Sequence, residues 1–198
     1  GITLSEEQLS LARTRAEQAG VSDRVKFEMV DYRDLAARGQ RFDRIVSVGM
    51  FEHVGVKNYP RYFENVRNCL RDEGLFLLHT IGFKQSVSWV DPWIWRYIFP
   101  NSMLPSAKHI TSASERYLIM EDWHSFCADY DRTLLAWHAN FCRGWKQLKS
   151  DYDERFFRMW RYYLLSCAGT FRASINQLWQ VVFSKDGLKG GYQPKNIR

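Results

Sequence analysis

The chain has 198 residues, 45% hydrophobic and 25% charged, enough to bury the core of one domain and too mixed for a disordered or fibrous polymer. Its apolar runs fall far short of the ~20 residues that cross a bilayer, and its start does not read as a signal peptide. A formal net charge of +6 suits an acidic partner, nucleic acid or anionic lipid, although scattered surface lysine and arginine gives the same sum. Four widely spaced cysteines (Cys69, Cys127, Cys142 and Cys167) with no CxxC pair predict buried thiols rather than a disulfide frame or a metal site.

The first residues, Gly-Ile-Thr-Leu, read as the end of a strand entering a helix that runs to Gly20. Ser5 is its N-cap, Gln8 completes a capping box, Leu4 can staple onto Leu9, and Gly20 ends it. Val25–Val30 predicts a second strand, which ends at Asp31-Tyr32-Arg33-Asp34. Two stretches then organise the chain: Phe42–Gly55, FDRIVSVGMFEHVG, and Leu75–Gly82, LFLLHTIG. Their apolar runs, Ile45–Val48 and Leu75–Leu78, predict parallel strands buried on both faces. Between them, Tyr59, Phe63, Val66 and Leu70 fall at helical spacing over Tyr59–Arg71, closed by Gly74. Strand, helix and strand in alternation predict βαβ units, a mostly parallel sheet and an α/β fold.

From Phe83 the rhythm changes. Residues 83–110 are rich in aromatics and proline, and Asp91-Pro92 starts a short helix displaying Trp93, Trp95, Ile98 and Phe99. This segment reads equally as a lid on the sheet or as a surface that touches lipid or lines an acyl channel. A strand at Tyr117–Met120, helices near Tyr130–Leu148 and Asp151–Phe171, and a strand at Gln177–Ser184 complete the prediction. The aromatic stripe Phe156, Trp160, Tyr163, Leu164, Cys167 and Phe171 on the second helix reads as core. Residues 186–198 are polar, contain glycine and read as a disordered tail.

Each apolar run delivers a titratable residue near its carboxyl end, Glu52 after the first and His79 in the second. In open α/β sheets that edge is where ligands bind. Either residue alone is as well explained by a helix start or a hydrogen-bonded core histidine; the pair at matching strand ends favours a site. His53, His109, His124 and His138 show no metal spacing.

FDRIVSVGMFEHVG, LLHTIG, EDWHSFCADYDRTL and QLWQVVFSK occur in this order, and together they resemble the cyclopropane-fatty-acyl-phospholipid synthases, a family that includes the mycolic acid cyclopropane synthases. The likeness runs from Gly1 to about Lys185. It implies a Rossmann-like methyltransferase catalytic domain over residues 1–185, with a helical lipid-binding cover within 83–172. It also implies the cofactor S-adenosylmethionine. No glycine-rich loop precedes the FDRIVSVG strand, so the domain is expected to be truncated before its third strand, a carboxyl-terminal part of a longer enzyme.

By the same resemblance, Thr3, Leu4, Ser5 and Gln8 border the ribose and adenine of the cofactor, and Tyr32 and Arg33 lie beside the adenine ring. Asp31 can accept from the adenine amino group. The implied reaction adds a methylene across a cis double bond of an unsaturated phospholipid acyl chain, with a bound bicarbonate ion as general base. The implied holders of bicarbonate are Glu52, His79, the backbone of Ile81, and Tyr130, with Glu52, His79 and Tyr130 as catalytic residues. An ionised Glu52 would repel the anion, so its pKa is expected to be raised. The family likeness further implies a cytoplasmic protein peripheral on the inner membrane face, and allows a homodimer. Two rival readings stay open: a fatty-acyl or small-molecule methyltransferase without ring closure, and a non-catalytic fragment that binds lipid or a partner. Nucleic acid is disfavoured, since the basic residues form no concentrated patch and the aromatic region is too apolar for a phosphate-tracking groove.

Overall fold

In the computed structural model, which describes residues 1–194, a two-residue strand β1 (Ile2–Thr3) leads into helix α1 (Glu6–Gln18). Ser5 caps α1 by accepting from the Gln8 N–H at 3.2 Å. The capping box closes differently from expectation. The Ser5 N–H goes to Thr3 Oγ1, and the Thr3 hydroxyl donates to Gln8 Oε1. Leu4 is 68% exposed and staples onto nothing, whereas Leu9 is buried. Gly20, at φ +65°, turns the chain out of the helix.

The predicted strand Val25–Val30 contracts to Glu28–Met29 (β2), paired in parallel with β1. A ladder persists only where a partner runs beside it, and β1 offers two residues. Next comes β3 (Phe42–Val48), followed by tight 3₁₀ turns and helix α2 (Tyr59–Cys69). Leu70 already adopts extended backbone and opens β4 (Leu70–Phe83). Gly74 therefore lies inside a strand rather than closing α2. There the register between β3 and β4 jumps from Phe42↔Leu70 to Arg44↔Leu75, and a Cβ on Gly74 would come within 2.9 Å of the Arg71 carbonyl oxygen.

Asp91 caps the short helix α3 (Pro92–Tyr97) by accepting from the Trp93 and Ile94 N–H groups. Helix α4 (Ala107–Ser114) was not anticipated; it spans only eight residues, and it is secured by a Ser106–His109 capping box. Strand β5 spans Ile119–Ser125, beginning two residues later than expected and ending five later, and helices α5 (Cys127–Leu148) and α6 (Glu154–Arg172) precede β6 (Asn176–Ser184). Of the tail, residues 186–194 carry no helix or strand, while the expectation for 195–198 lies outside the described residues.

The main sheet has the order β3-β4-β6-β5, and the β1–β2 pair forms a sheet of its own. β3 and β4 are parallel, whereas β6 runs antiparallel to both its neighbours. The sheet is thus mixed rather than mostly parallel. On one face Phe76, Leu78, Val181 and Phe183 pack with Tyr59, Tyr62 and Phe63 of α2 and Ile110 of α4 into the principal core. A second core joins Leu134 of α5, Leu164 and Phe171 of α6, and Leu178 of β6. The expected burial of β3 on both faces is not met: Val46 is 61% exposed and Val48 65%. β3 is an edge strand, and the face carrying Val46, Leu77 and Val182 opens into a cleft of about 350 Å³.

Candidate active site

The parallel pairing of β3 and β4 sets their carboxyl ends side by side, with Val48 opposite His79. Just beyond β3, the 3₁₀ turn Phe51–His53 lowers Glu52 into the interior, 6% exposed. Two backbone groups hold it there. The Ile81 N–H donates to Glu52 Oε1 at 2.8 Å, and the Met103 N–H donates to the Glu52 carbonyl at 2.7 Å. Its second carboxyl oxygen, Oε2, is buried without a hydrogen-bond partner. Burial raises the Glu52 pKa, opposed by the Ile81 N–H, in the expected direction. The Ile81 N–H is thus occupied by Glu52 itself.

His79 shares a sheet face with Ile81, and burial lowers its pKa, so the neutral ring is favoured near pH 7. Its Nδ1 lies 3.2 Å from Nε2 of Gln180, its partner across the β4–β6 ladder. An amide nitrogen only donates, so Nδ1 accepts and the ring proton sits on Nε2. Gln180 thereby fixes the tautomer that donates away from the ladder. No hydrogen bond joins Glu52 to His79 among the described residues.

Tyr130, in the first turns of α5, packs edge-on against Phe171 at 4.9 Å and Trp137 at 5.8 Å. Its pKa is raised by burial first and then by the Glu52 charge. Tyr163 and Cys167 of α6 join Tyr130 in the second core, and burial pushes the Cys167 thiol up to about 11. Tyr130 thus belongs to the apolar core packed between α5, α6 and β6.

The predicted cofactor residues gather at the neighbouring strand ends. β1 and β2 lie in register at Thr3↔Met29, which brings Thr3–Gln8 and Asp31–Arg33 together. Asp31 caps the turn Tyr32–Asp34 by accepting from the Arg33 N–H, and both of its carboxyl oxygens also receive the Arg33 guanidinium. That pairing holds the Asp31 carboxyl below the usual range. The expected acceptor is therefore committed to Arg33. The Tyr32 ring meets Tyr62 edge-on at 5.4 Å, which ties the β1–β2 unit to the principal core.

Sequence reasoning missed Gln180, which is 101 residues from His79, and only the β4–β6 register discloses it. It also treated Tyr59 as a plain apolar position. The phenols of Tyr59 and Tyr62 are buried without partners, and the pKa of each is raised by burial and then by Glu52. Among the described residues, no group of three or more His, Cys, Asp or Glu could hold a metal ion, and no helix is long and apolar enough to cross a membrane.

A mixed sheet with a parallel βαβ unit and polar residues gathered at its carboxyl edge is the architecture of S-adenosylmethionine-dependent methyltransferases. The cyclopropane synthase MmaA2 from Mycobacterium tuberculosis matches 93% of this chain at a TM-score of 0.80, with 22% identity, over 69% of its own length. The mycolic acid cyclopropane synthase CmaA1, solved in complex with SAH and CTAB, matches with the same TM-score at 24% identity. The chain belongs to the mycolic acid cyclopropane synthetase family, whose sequence model matches residues 1–181. The cyclopropane-fatty-acyl-phospholipid synthase of Escherichia coli K12 is 53% identical over 96% of this chain and 48% of its own length. Tuberculostearic acid methyltransferase UfaA1 from M. tuberculosis is 33% identical over 94% of this chain and 44% of its own length. The chain spans about half the length of these curated relatives.

Proposed function

We propose that this chain carries out the chemical step of a cyclopropane-fatty-acyl-phospholipid synthase, adding a methylene to a cis double bond of an unsaturated phospholipid acyl chain, with bicarbonate as general base. The observation that carries this reading is the buried, unpartnered Oε2 of Glu52, on a carboxyl whose pKa burial raises. S-adenosylmethionine, when bound, supplies a methyl carbon activated by a sulfonium.

The polar groups fit an anion. A protonated Glu52 donates through its carboxyl proton, His79 through Nε2–H and Tyr130 through its phenol. Three donors and no fixed negative charge can hold a small anionic base, which accepts a proton without a titratable side chain reaching the acyl chain. Leu134, Leu164, Ala168 and Phe171 exclude water, which would otherwise quench a carbocation formed from the alkene. The resemblance assigns a bicarbonate contact to the backbone of Ile81, whose N–H donates to Glu52 and would act on the anion by holding that carboxyl. At the other end of the site, Thr3, Leu4, Ser5 and Gln8 would border the ribose and adenine, and Tyr32 and Arg33 the ring. Asp31 would act by orienting Arg33. The substrate places the protein on the inner face of a membrane in the cytoplasm, and a homodimer is compatible with this reading.

The test is product analysis. The chain is incubated with S-adenosylmethionine and dispersed phospholipid carrying cis-monounsaturated acyl chains, and the methyl esters are resolved by gas chromatography. Ring-containing product is expected, reduced about 10²-fold or more by Tyr130→Phe or His79→Gln. A methyl-branched, ring-free product would move the reading to a fatty-acyl methyltransferase.

A further inference from the structure

Large aromatic side chains remain exposed on one part of the cover. Trp89, Trp95, Tyr97 and Phe99 project from α3 and its flanks, and Tyr162 and Leu165 from α6. Ring contacts join the two groups: Trp93 meets Tyr162 edge-on at 4.7 Å, and Phe99 meets Tyr163 at 5.9 Å. On α6 the positions 155, 158, 162 and 165 follow helical spacing, so Arg155 and Arg158 share the outward face of Tyr162 and Leu165. Arg96 of α3 lies over the Tyr97 ring at 5.5 Å. Among the described residues, Arg96, Arg155 and Arg158 form no ion pair. Of the nearby carboxylates, Asp91 caps α3 and Asp153 caps α6, while Glu154 lies one turn before Arg158, so that Arg96, Arg155 and Arg158 face one uncommitted carboxylate.

We propose that α3 and the outward face of α6 form the surface by which this protein lies on an anionic lipid bilayer. Tryptophan and tyrosine are amphipathic and favour the headgroup level, while arginine stems reach anionic headgroups. An exposed apolar patch of this kind, rimmed by unpaired cations, is complementary to a negative membrane surface. The surface also backs onto the candidate site. Tyr163, next to the outward Tyr162, belongs with Tyr130 to the second core, and Phe99 meets His53 of the Glu52 turn at 6.2 Å. A lipid leaving the bilayer at α3 would enter beside Glu52 and Tyr130. This assignment rests on the phospholipid reading above and adds the docking face and the charge of the lipid.

Binding is measured by co-sedimentation of the chain with vesicles of phosphatidylcholine alone or mixed in equal parts with phosphatidylglycerol. Preference for the anionic vesicles is expected, together with quenching of tryptophan emission by brominated acyl chains. Arg155→Gln with Arg158→Gln should weaken binding by about fivefold per arginine, whereas Arg15→Gln with Arg24→Gln, near α1, should leave it unchanged. Trp95→Ala with Tyr162→Ala should reduce the brominated-lipid quenching while circular dichroism is retained. Equal binding to both vesicle types, or equal effects of the two arginine pairs, would overturn the proposal. So would a lipid-free dimer dispersed by Tyr162→Ala, which would assign the face to a second copy. Cyclopropane formation on detergent-dispersed lipid by a chain that ignores anionic vesicles would overturn the docking face alone.

Discussion

A carboxyl group with one hydrogen bond and a second oxygen sealed from water is held best when protonated, and Glu52 is in that position. Its folded pKa exceeds its unfolded value, so the folded state binds the proton more tightly. That contribution to stability is fully present below the unfolded pKa near 4.5 and is lost as pH rises through the folded value. Each pH unit of that interval removes about 1.4 kcal/mol. Glu52→Gln keeps the shape and cannot ionise, so its melting temperature relative to the parent should be higher at pH 8 than at pH 5. The difference should be about 2–4 °C for each kcal/mol. His79 titrates identically in both proteins and cancels from the comparison. Thermal melts at the two pH values decide it; an unchanged offset would mean that Glu52 is ionised throughout. The placement of Glu52 and His79 at strand ends was legible in the sequence, because uninterrupted apolar runs mark strands and whatever follows them sits at the edge. Their hydrogen-bond partners were not, because Ile81 and Gln180 meet them through register, and register depends on the whole sheet.

At the scale of elements, β4 and β6 form the long antiparallel ladder on which the site hangs, and one glycine lets them close. Trp179 lies across Gly82, so that a Cβ there would fall 2.0–2.5 Å from ring carbons of the indole. The indole cannot retreat freely, since it is buried and meets Trp123 at 5.0 Å. Gly82→Ala should therefore cost about 1–3 kcal/mol in urea unfolding, the range for overpacking a closed core, and should shift tryptophan emission. A loss below ~0.5 kcal/mol would show that the ladder yields. Strands β3, β4 and β6 and helices α2, α5 and α6 were all foreseeable from periodicity, to within a few residues at their ends. The exposed face of β3 was not, because an apolar run reveals that a strand can be covered and not which neighbours cover it. Helix α4 escaped for a different reason: its AKHITSAS sequence is only about two turns long with one large apolar residue, and its stability comes from a cap and from Ile110 in the core.

Across the whole molecule, stability is unevenly distributed. Phe76, Leu78, Val181 and Phe183, in the central strands, are fully buried, whereas β1 and β2 hold two residues each and Ile2 and Met29 lie open to solvent. Helix α1 buries Leu9 and Ala16 and is tied to the rest through contacts such as that of Tyr32 with Tyr62. Local opening should therefore begin in the β1–α1–β2 unit, where the cofactor residues were assigned. Amide exchange should be fast at Thr3, Glu28 and Val30 and slowest in β4 and β6. S-adenosylmethionine at 100 times its Kd should stabilise the closed form by about 2.7 kcal/mol and slow exchange in this unit about 100-fold, and equally in β4 and β6 where these exchange only through global unfolding, because that opening also releases the ligand. Protection in β1 and β2 would identify their carboxyl ends as the cofactor edge. Slowing confined to α5 and α6 would move the cofactor to that helical pair and leave Thr3–Gln8 and Asp31–Arg33 as the self-contained caps that their internal hydrogen bonds already make them.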